Sequence, residues 1–274
     1  MAMSTQTLRE SDAAKNLPAS DSSDGFSINT LTLHDLAEVL RKGLADFKAM
    51  PSHLIFLATI YPIGAFLLGQ LTYSFDLLPL FFPLVAGFAI VGPFLAIGLY
   101  QISRQREQGL EPHWKDVLEV WHSPSRGSIL VVGLALLVIF AAWMITANWL
   151  YGLIMGGKSF ASVGSFLQTI MTTNAGWTLI IVGHAVGFCF AALAFMISAI
   201  SFQLLLDRPV DTSTAIRASI MSVRRNPRVM LVWAGIIATG LILGSALLFV
   251  GLVIVLPVLA HASWHLYRRV VSWR

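Results

Sequence analysis

The chain is poor in charge and nearly without cysteine. Asp, Glu, Lys and Arg together make up 12% of its 274 residues, about half of the ~25% that a soluble globular protein carries. Too few polar side chains are present to cover a water-facing surface. The apolar surplus, 56% of the residues with a mean hydropathy of +0.75, has to face lipid. The one cysteine, Cys189, excludes an intrachain disulfide and reads as a small packing residue in an apolar segment. There is no G-x-S-x-G elbow, H-E-x-x-H helix or C-x-x-C pair, and no phosphate-binding loop is expected. No Asp, Glu, Lys or Arg lies deep within an apolar segment. That argues against a pump built on carboxylate relays and leaves facilitated diffusion open. Neither an enzymatic activity nor a cofactor nor a metal is expected.

What is present is a series of long neutral runs behind a polar start. Residues 1–27 are rich in Ser, Asp and Ala, hold Pro18 and Gly25, and lack apolar periodicity, which predicts a disordered tail. They do not read as a secretory signal, because no apolar core follows Arg9. Residues 28–274 are expected to form one transmembrane domain. It opens with an amphipathic helix over 31–48, where Thr32 and Asp35 have the spacing of a capping box. Leu33, Leu36, Leu40, Leu44 and Phe47 share one face, and Glu38, Arg41, Lys42 and Lys48 lie off it. Such a helix is expected to lie on the membrane, basic side chains toward the headgroups.

Six transmembrane helices are predicted, over about 53–72, 77–102, 129–154, 176–203, 229–246 and 249–267. Each approaches the ~20 residues that cross ~30 Å of hydrocarbon. The last two come from one uncharged run, Val229–Tyr267. As a single helix it would span roughly 58 Å, about twice the hydrocarbon thickness. As two helices it fits, with the turn near Gly244–Gly251 although no strong turn signal sits there. Charge supports the count. With the amino terminus in the cytoplasm and six crossings, all of the 18 Lys and Arg residues except Lys158 fall on the cytoplasmic side, the bias that the positive-inside rule requires. Five crossings would put Arg268, Arg269 and Arg274 on the wrong face.

The second and sixth segments align without gaps. Gly87, Ile90, Val91, Pro93, Leu95, Ala96 and Arg104 match Gly251, Ile254, Val255, Pro257, Leu259, Ala260 and Arg268. Amphipathic stretches ending at Pro51, Pro124 and Pro227 precede the three pairs of segments. The second of these stretches carries Trp114, Val117, Leu118 and Trp121, and the third Ile216, Ile220 and Val223. The fold class predicted is therefore an all-α membrane protein of three helical hairpins, each preceded by a cytoplasmic-side amphipathic helix. The hairpins form a parallel repeat. Pro93 and Pro257, inside helices, are expected to kink them.

From about Ile28 onward the chain resembles a bacterial family of predicted integral membrane proteins, domain of unknown function 2189. Some of its members carry a cytochrome c oxidase subunit label. The resemblance rests on Asp46-Phe47 before Pro51, on Gly87-Phe88-Ala89, Gly92-Pro93 and Tyr100, and on Pro257, Trp264 and Tyr267-Arg268. It implies a multi-helix, multi-pass protein of the bacterial inner membrane and brings no activity or catalytic residues.

Histidine supplies the only cofactor-ligand pattern within the apolar segments. His184 and His261 are each about nine or ten residues from the outer end of their helices, ~14–15 Å deep. His265 follows His261 on the same face. Imidazoles at matched depth are the raw material of a haem or copper site. Hydrogen bonding to neighbouring helices is the simpler use. The leading expectation is a membrane protein whose cytoplasmic helices and arginines engage anionic lipid or a protein partner, with no role for nucleic acid. A carrier or channel for a small solute comes second, and a haem- or copper-linked respiratory accessory third.

Overall fold

The computed structural model describes residues 25–50, 75–111, 122–246 and 249–273, with 113, 120 and part of 59–70. The first predicted span, 53–72, lies largely outside these residues, as do Pro51, most of the 114–121 stretch and residues 1–24.

The described chain begins with a strand, β1 (Phe26–Ile28), and the helix α1 (Leu33–Ala49). Thr32 caps α1 through the predicted box: its hydroxyl accepts from the Asp35 N–H and the Asp35 carboxylate accepts from the Thr32 N–H. After a 3₁₀ turn at Phe75–Leu80 come α2 (Phe81–Leu95) and α3 (Ile97–Glu107), separated only at Ala96. Then follow α4 (Arg126–Met155), α5 (Val163–Thr172), α6 (Asn174–Ser198), α7 (Ser201–Asp207), α8 (Thr212–Arg225), α9 (Pro227–Ala246) and α10 (Leu252–Val270). A second strand, β2 (Val271–Trp273), closes the order.

Among the described residues, four stretches are long and apolar enough to cross a membrane: Leu77–Glu107, Arg126–Met155, Asn174–Asp207 and Pro227–Ala246. α10 is not one of them. Its carboxyl half carries His261, His265, Arg268 and Arg269 and packs against α1 and α3. The uncharged run that ends in Tyr267 is divided where length required. α9 stops at Ala246, and Phe249 takes a left-handed backbone, φ 66°. The turn holds because Gly244 and Gly251 meet backbone to backbone. A Cβ added at Gly251 would come within 2.8 Å of the Gly244 Cα. Pro227 opens α9 at its first position, where no N–H is needed. Pro124 lies in the turn before α4.

The two segments that align in sequence differ in structure. The second segment breaks at Ala96, three residues after Pro93, whereas Pro257 sits within a continuous α10. A break also separates α6 from α7, at Ala199–Ile200. Gly87 packs against the rings of Phe140 and Trp143 on α4.

Three expectations need correction. Residues 26 and 27 are not disordered: β1 pairs antiparallel with β2, Phe26 opposite Trp273 and Ile28 opposite Val271. Phe26 and Ile28 point inward, with Ser27 between them. The fold thus adds a two-stranded ribbon to its helices. Second, the inward stripe of α1 is Leu36, Val39, Gly43 and Asp46, while Leu33 and Leu44 are exposed. The inward stripe overlaps the predicted face at Leu36, and Leu40 packs partly against the core, but its centre is shifted toward Val39, Gly43 and Asp46. Third, α5 occupies a stretch for which no helix was expected. Ser162 and Ser165 cap it, Val163, Phe166, Leu167 and Ile170 give it a helical period, and it packs on α6 where a Gly176 Cβ would clash with the Ile170 carbonyl.

The α1–α10 contact is close because residue 43 lacks a side chain. A Cβ there would lie 2.6 Å from the Ala262 nitrogen and 2.7 Å from the Val258 oxygen. Gly43→Leu should therefore lower stability by about 1–3 kcal/mol. Gly127→Ala, with open space around it, should be neutral. Thermal unfolding of both variants in the same detergent checks the pair, and equal melting would refute the packing argument.

Candidate functional site

The polar residues of the bundle gather at one end, where α1, α3, α7 and α10 meet. At its centre is Asp46, 7% exposed. Oδ2 accepts from Ser103 Oγ at 2.6 Å and from His265 Nε2 at 2.8 Å, and Oδ1 pairs with Arg106 Nη1 at 2.9 Å. Ser103 Oγ also lies 2.8 Å from His261 Nδ1. An ionised carboxylate can only accept. The single Ser103 hydroxyl proton therefore goes to Asp46, and Ser103 Oγ accepts from His261 Nδ1–H. Ser103 and His261 are fully buried. Burial works to raise the Asp46 carboxyl, but hydrogen bonds from His265 and Ser103 and the histidine charges outweigh it and hold Asp46 below its ordinary range.

Around this centre lies a second layer of ion pairs. Asp207, at the end of α7, receives Tyr267 Oη at 2.7 Å, Arg268 Nη1 at 3.4 Å and Arg104 Nε at 3.7 Å. Arg104 and Arg268, the matched arginines of the repeat, thus converge on one carboxylate. Glu107 accepts from Trp264 Nε1 and pairs with Arg268 Nε, both at 3.0 Å. Arg269 joins α10 to Asp35 at 2.8 Å and to Glu38 on α1. Asn226, at the end of α8, accepts from the Leu31 N–H at 2.7 Å and donates to the Asn29 carbonyl at 3.0 Å. Arg208 stacks over the Trp273 ring, 5.4 Å from its centre.

Of the three candidate histidines, the structure brings together His261 and His265, both on Asp46 either directly or through Ser103. His184 is exposed on α6, its Nδ1 at 2.7 Å from the Ile180 carbonyl and its ring 5.1 Å from that of Phe82. Equal depth along two helices did not mean a shared centre. Among the described residues, no group of three or more His, Cys, Asp or Glu is placed to hold a metal ion. Neither Asp46, which entered the sequence reading only through the family resemblance, nor Ser103 was a site candidate there. Asp46 resembles any charge on an amphipathic helix until its place in the Leu36–Val39–Gly43 stripe is seen.

One motif was also missed. Gly152–Ser159 has the G-x-x-x-x-G-K-S spacing of a phosphate-binding loop. That loop requires a strand before it and a helix opening at the lysine. Here Gly152–Met155 end the long helix α4, and Gly156 and Gly157 take left-handed φ. The spacing stands without its context.

In the ionised state Asp46 favours the folded protein, because its folded pKa lies below the unfolded value of about 3.9. That contribution is complete above about pH 4 and is lost as pH falls through the folded value. Asp46→Ala, which leaves Arg106 and His265 without their carboxylate, should cost about 3–5 kcal/mol at neutral pH. The deficit should shrink on acidification below pH 4, and melting curves of both proteins across pH 3–7 measure it.

Residues 81–207 match the family described as "Predicted integral membrane protein (DUF2189)", a stretch running from α2 to α7. No curated protein matches the chain, and neither does any solved structure. The chain is a multi-pass integral membrane protein, with lipid contact along its long apolar helices.

Proposed function

We propose that the chain, by residues 81–207 a member of this family of predicted integral membrane proteins, is a non-enzymatic protein of the bacterial inner membrane with six crossings. In this reading both ends are cytoplasmic and the cytoplasmic face engages anionic lipid or a protein partner. The pairing of β1 with β2 carries the topology. Strands from the two ends of the domain can hydrogen-bond only if both ends lie on the same side of the bilayer, so the number of crossings is even. Lys158 follows the far end of α4, whereas Arg104, Arg106, Arg208, Arg268 and Arg269 lie in the ion-pair layer at the other end. That distribution favours six crossings with the ion-pair layer in the cytoplasm.

The engagement of lipid rests on how the surface helices pack. α1 turns Leu36, Val39, Gly43 and Asp46 inward and leaves Leu33 and Leu44 exposed. α8 buries Ala215, Ala218, Ser219 and Ser222 and leaves Ile216 and Ile220 half-buried. The small buried residues of α8, and the large apolar residues that both helices leave exposed or half-buried, suit helices whose outer solvent is lipid. Exposed Arg41 and Lys48 on α1, and Arg224, Arg225 and Arg228 at and beyond the end of α8, add basic side chains on the same elements.

A second reading, a carrier for a small solute, has one observation in its favour. α3 and α7, the segments after the two helix breaks, bury Gln105 and Gln203. The Oε1 atoms of both accept no hydrogen bond among the described residues. Solute uptake by proteoliposomes above that of empty vesicles would favour it.

Green fluorescent protein fused after Arg274 should fluoresce, and alkaline phosphatase at the same place should be inactive. The reverse pattern would overturn the topology. Protein extracted in mild detergent should retain anionic phospholipid above its share of the source membrane, or a stoichiometric cytoplasmic protein. Retention of neither would overturn the proposed role.

A further inference from the structure

We propose that α5 is an interfacial helix whose Val163–Leu167–Met171 stripe is buried among the acyl chains of the outer leaflet, with no preference for headgroup charge. Its place in the outer leaflet rests on the six-crossing topology proposed above. Its burial in lipid does not.

The circumference of α5 is divided in three. At 3.6 residues per turn, Phe166 and Ile170 share one side. They pack with Tyr151 and Met155 of α4 and with Leu179 and Ile180 of α6. Val163, Leu167 and Met171 fall on the next side, and all three are exposed. Gly164, Gln168 and Thr172, also exposed, form the third side. A helix surrounded by water would gain nothing from the second side, and one sunk in hydrocarbon would gain nothing from the third. Protein, hydrocarbon and water met in turn around one axis is the situation of a helix lying in the plane of a bilayer surface.

α5 is not free to roll its apolar stripe inward. A Cβ added at Gly176 would lie 2.2 Å from the Ile170 oxygen, so Ile170 rests directly on the α6 backbone. Thr173 is the one residue between α5 and α6. Its Oγ1 donates to the Thr169 carbonyl at 2.8 Å and accepts from the Gly176 N–H at 3.0 Å.

Position selects lipid as what covers the stripe. The helices before and after α5 are both long and apolar enough to cross a membrane, and so short a link to α6 keeps α5 at the level of the bilayer surface. Trp149 lies in the last two turns of α4 and Trp177 in the first turn of α6. Both are exposed, as in the aromatic belts at the edge of the hydrocarbon. The Trp177 indole N–H donates to the Met171 carbonyl at 3.0 Å, which holds its ring beside the end of the stripe. Exposed Ile181 and Phe188 continue the Trp177 face along α6. The stripe and Trp177 are four side chains, far fewer than the ~20–30 residues that a protein partner engages per side. Lys158 is the only charged residue between Arg126 and Asp207, so this end of the molecule has little with which to select an anionic headgroup.

The test uses the full-length protein with Cys189→Ala, because Cys189 is exposed, reconstituted in phosphatidylcholine vesicles. A fluorophore is attached at Leu167→Cys or, in a second protein, at Gln168→Cys. Lipid spin-labelled close to the headgroup should quench the probe at position 167 about threefold more than that at 168, as burial to ~5–10 Å requires. Iodide on both sides of the membrane should show the reverse order. Replacing phosphatidylcholine by phosphatidylglycerol should change neither. Equal iodide quenching at the two positions would overturn the burial in lipid. Protection of position 167 from iodide and from spin-labelled lipid alike would put protein on the stripe and overturn it too. Lipid quenching that grows with phosphatidylglycerol would overturn the indifference to charge. The side is read separately: a membrane-impermeant maleimide should label Gln168→Cys in intact spheroplasts. Labelling only after lysis would overturn the outer-leaflet assignment together with the topology, while the quenching order would still report whether the stripe is in lipid.

Discussion

A single carboxylate sets how the ends of this domain meet. Asp46 lies in the stripe of α1 that faces the protein, where an unpaired charge would cost several kcal/mol. It is stable there because Ser103 and Arg106 on α3 and His265 on α10 arrive from different directions. Each partner fixes a rotation: α1 about its own axis, α3 against α1, and α10 against both. Gly43, one turn earlier, lets the backbones close to the distance that the hydrogen bonds need. The outer pairs, Arg269 with Asp35 and Asn226 with residues 29 and 31, extend the same registration toward the ribbon.

The rest of the molecule obeys a second constraint, the absence of water along most of its length. Without a hydrophobic gain from helix association, close packing and polar contacts hold such helices together. The buried face of α8 is accordingly made of alanine and serine, and that of α1 closes on Gly43 and Asp46 below Leu36 and Val39. Serine does much of the joining. Ser103, Ser201 and Ser219 each link two elements in fully buried positions.

Much of this was legible in the sequence, and the failures share a cause. Uncharged length found the helices and required the division between α9 and α10. The Thr32–Asp35 spacing found the start of α1, and the matched positions Arg104 and Arg268 proved to share Asp207. Periodicity, however, reports which face is apolar and not what that face touches. In a soluble protein the whole Leu33–Leu36–Leu40–Leu44 face would be the core; here only Leu36 of it is buried, and the buried stripe runs on through Val39, Gly43 and Asp46. The site was hidden for a second reason. Asp46 finds Ser103 57 residues away and His265 219 residues away, so nothing local marks it. The ribbon escaped because three-residue strands carry no periodic signal of their own. α5 does carry one, but at 10 residues it falls below the length that crosses a bilayer.

The same chain separation shapes the order in which the molecule can be made. Synthesis delivers α1 first; Ser103 follows 57 residues later, with Arg106 close behind it, and His265 only after 219. While the ribosome makes the intervening helices, α1 is without its contact to α10, and β1 waits with an open edge. Completion therefore resembles the closing of a clasp after the last helix is inserted. A polypeptide halted before His265 would leave its first helix unanchored, a state that membrane quality-control proteases can recognise.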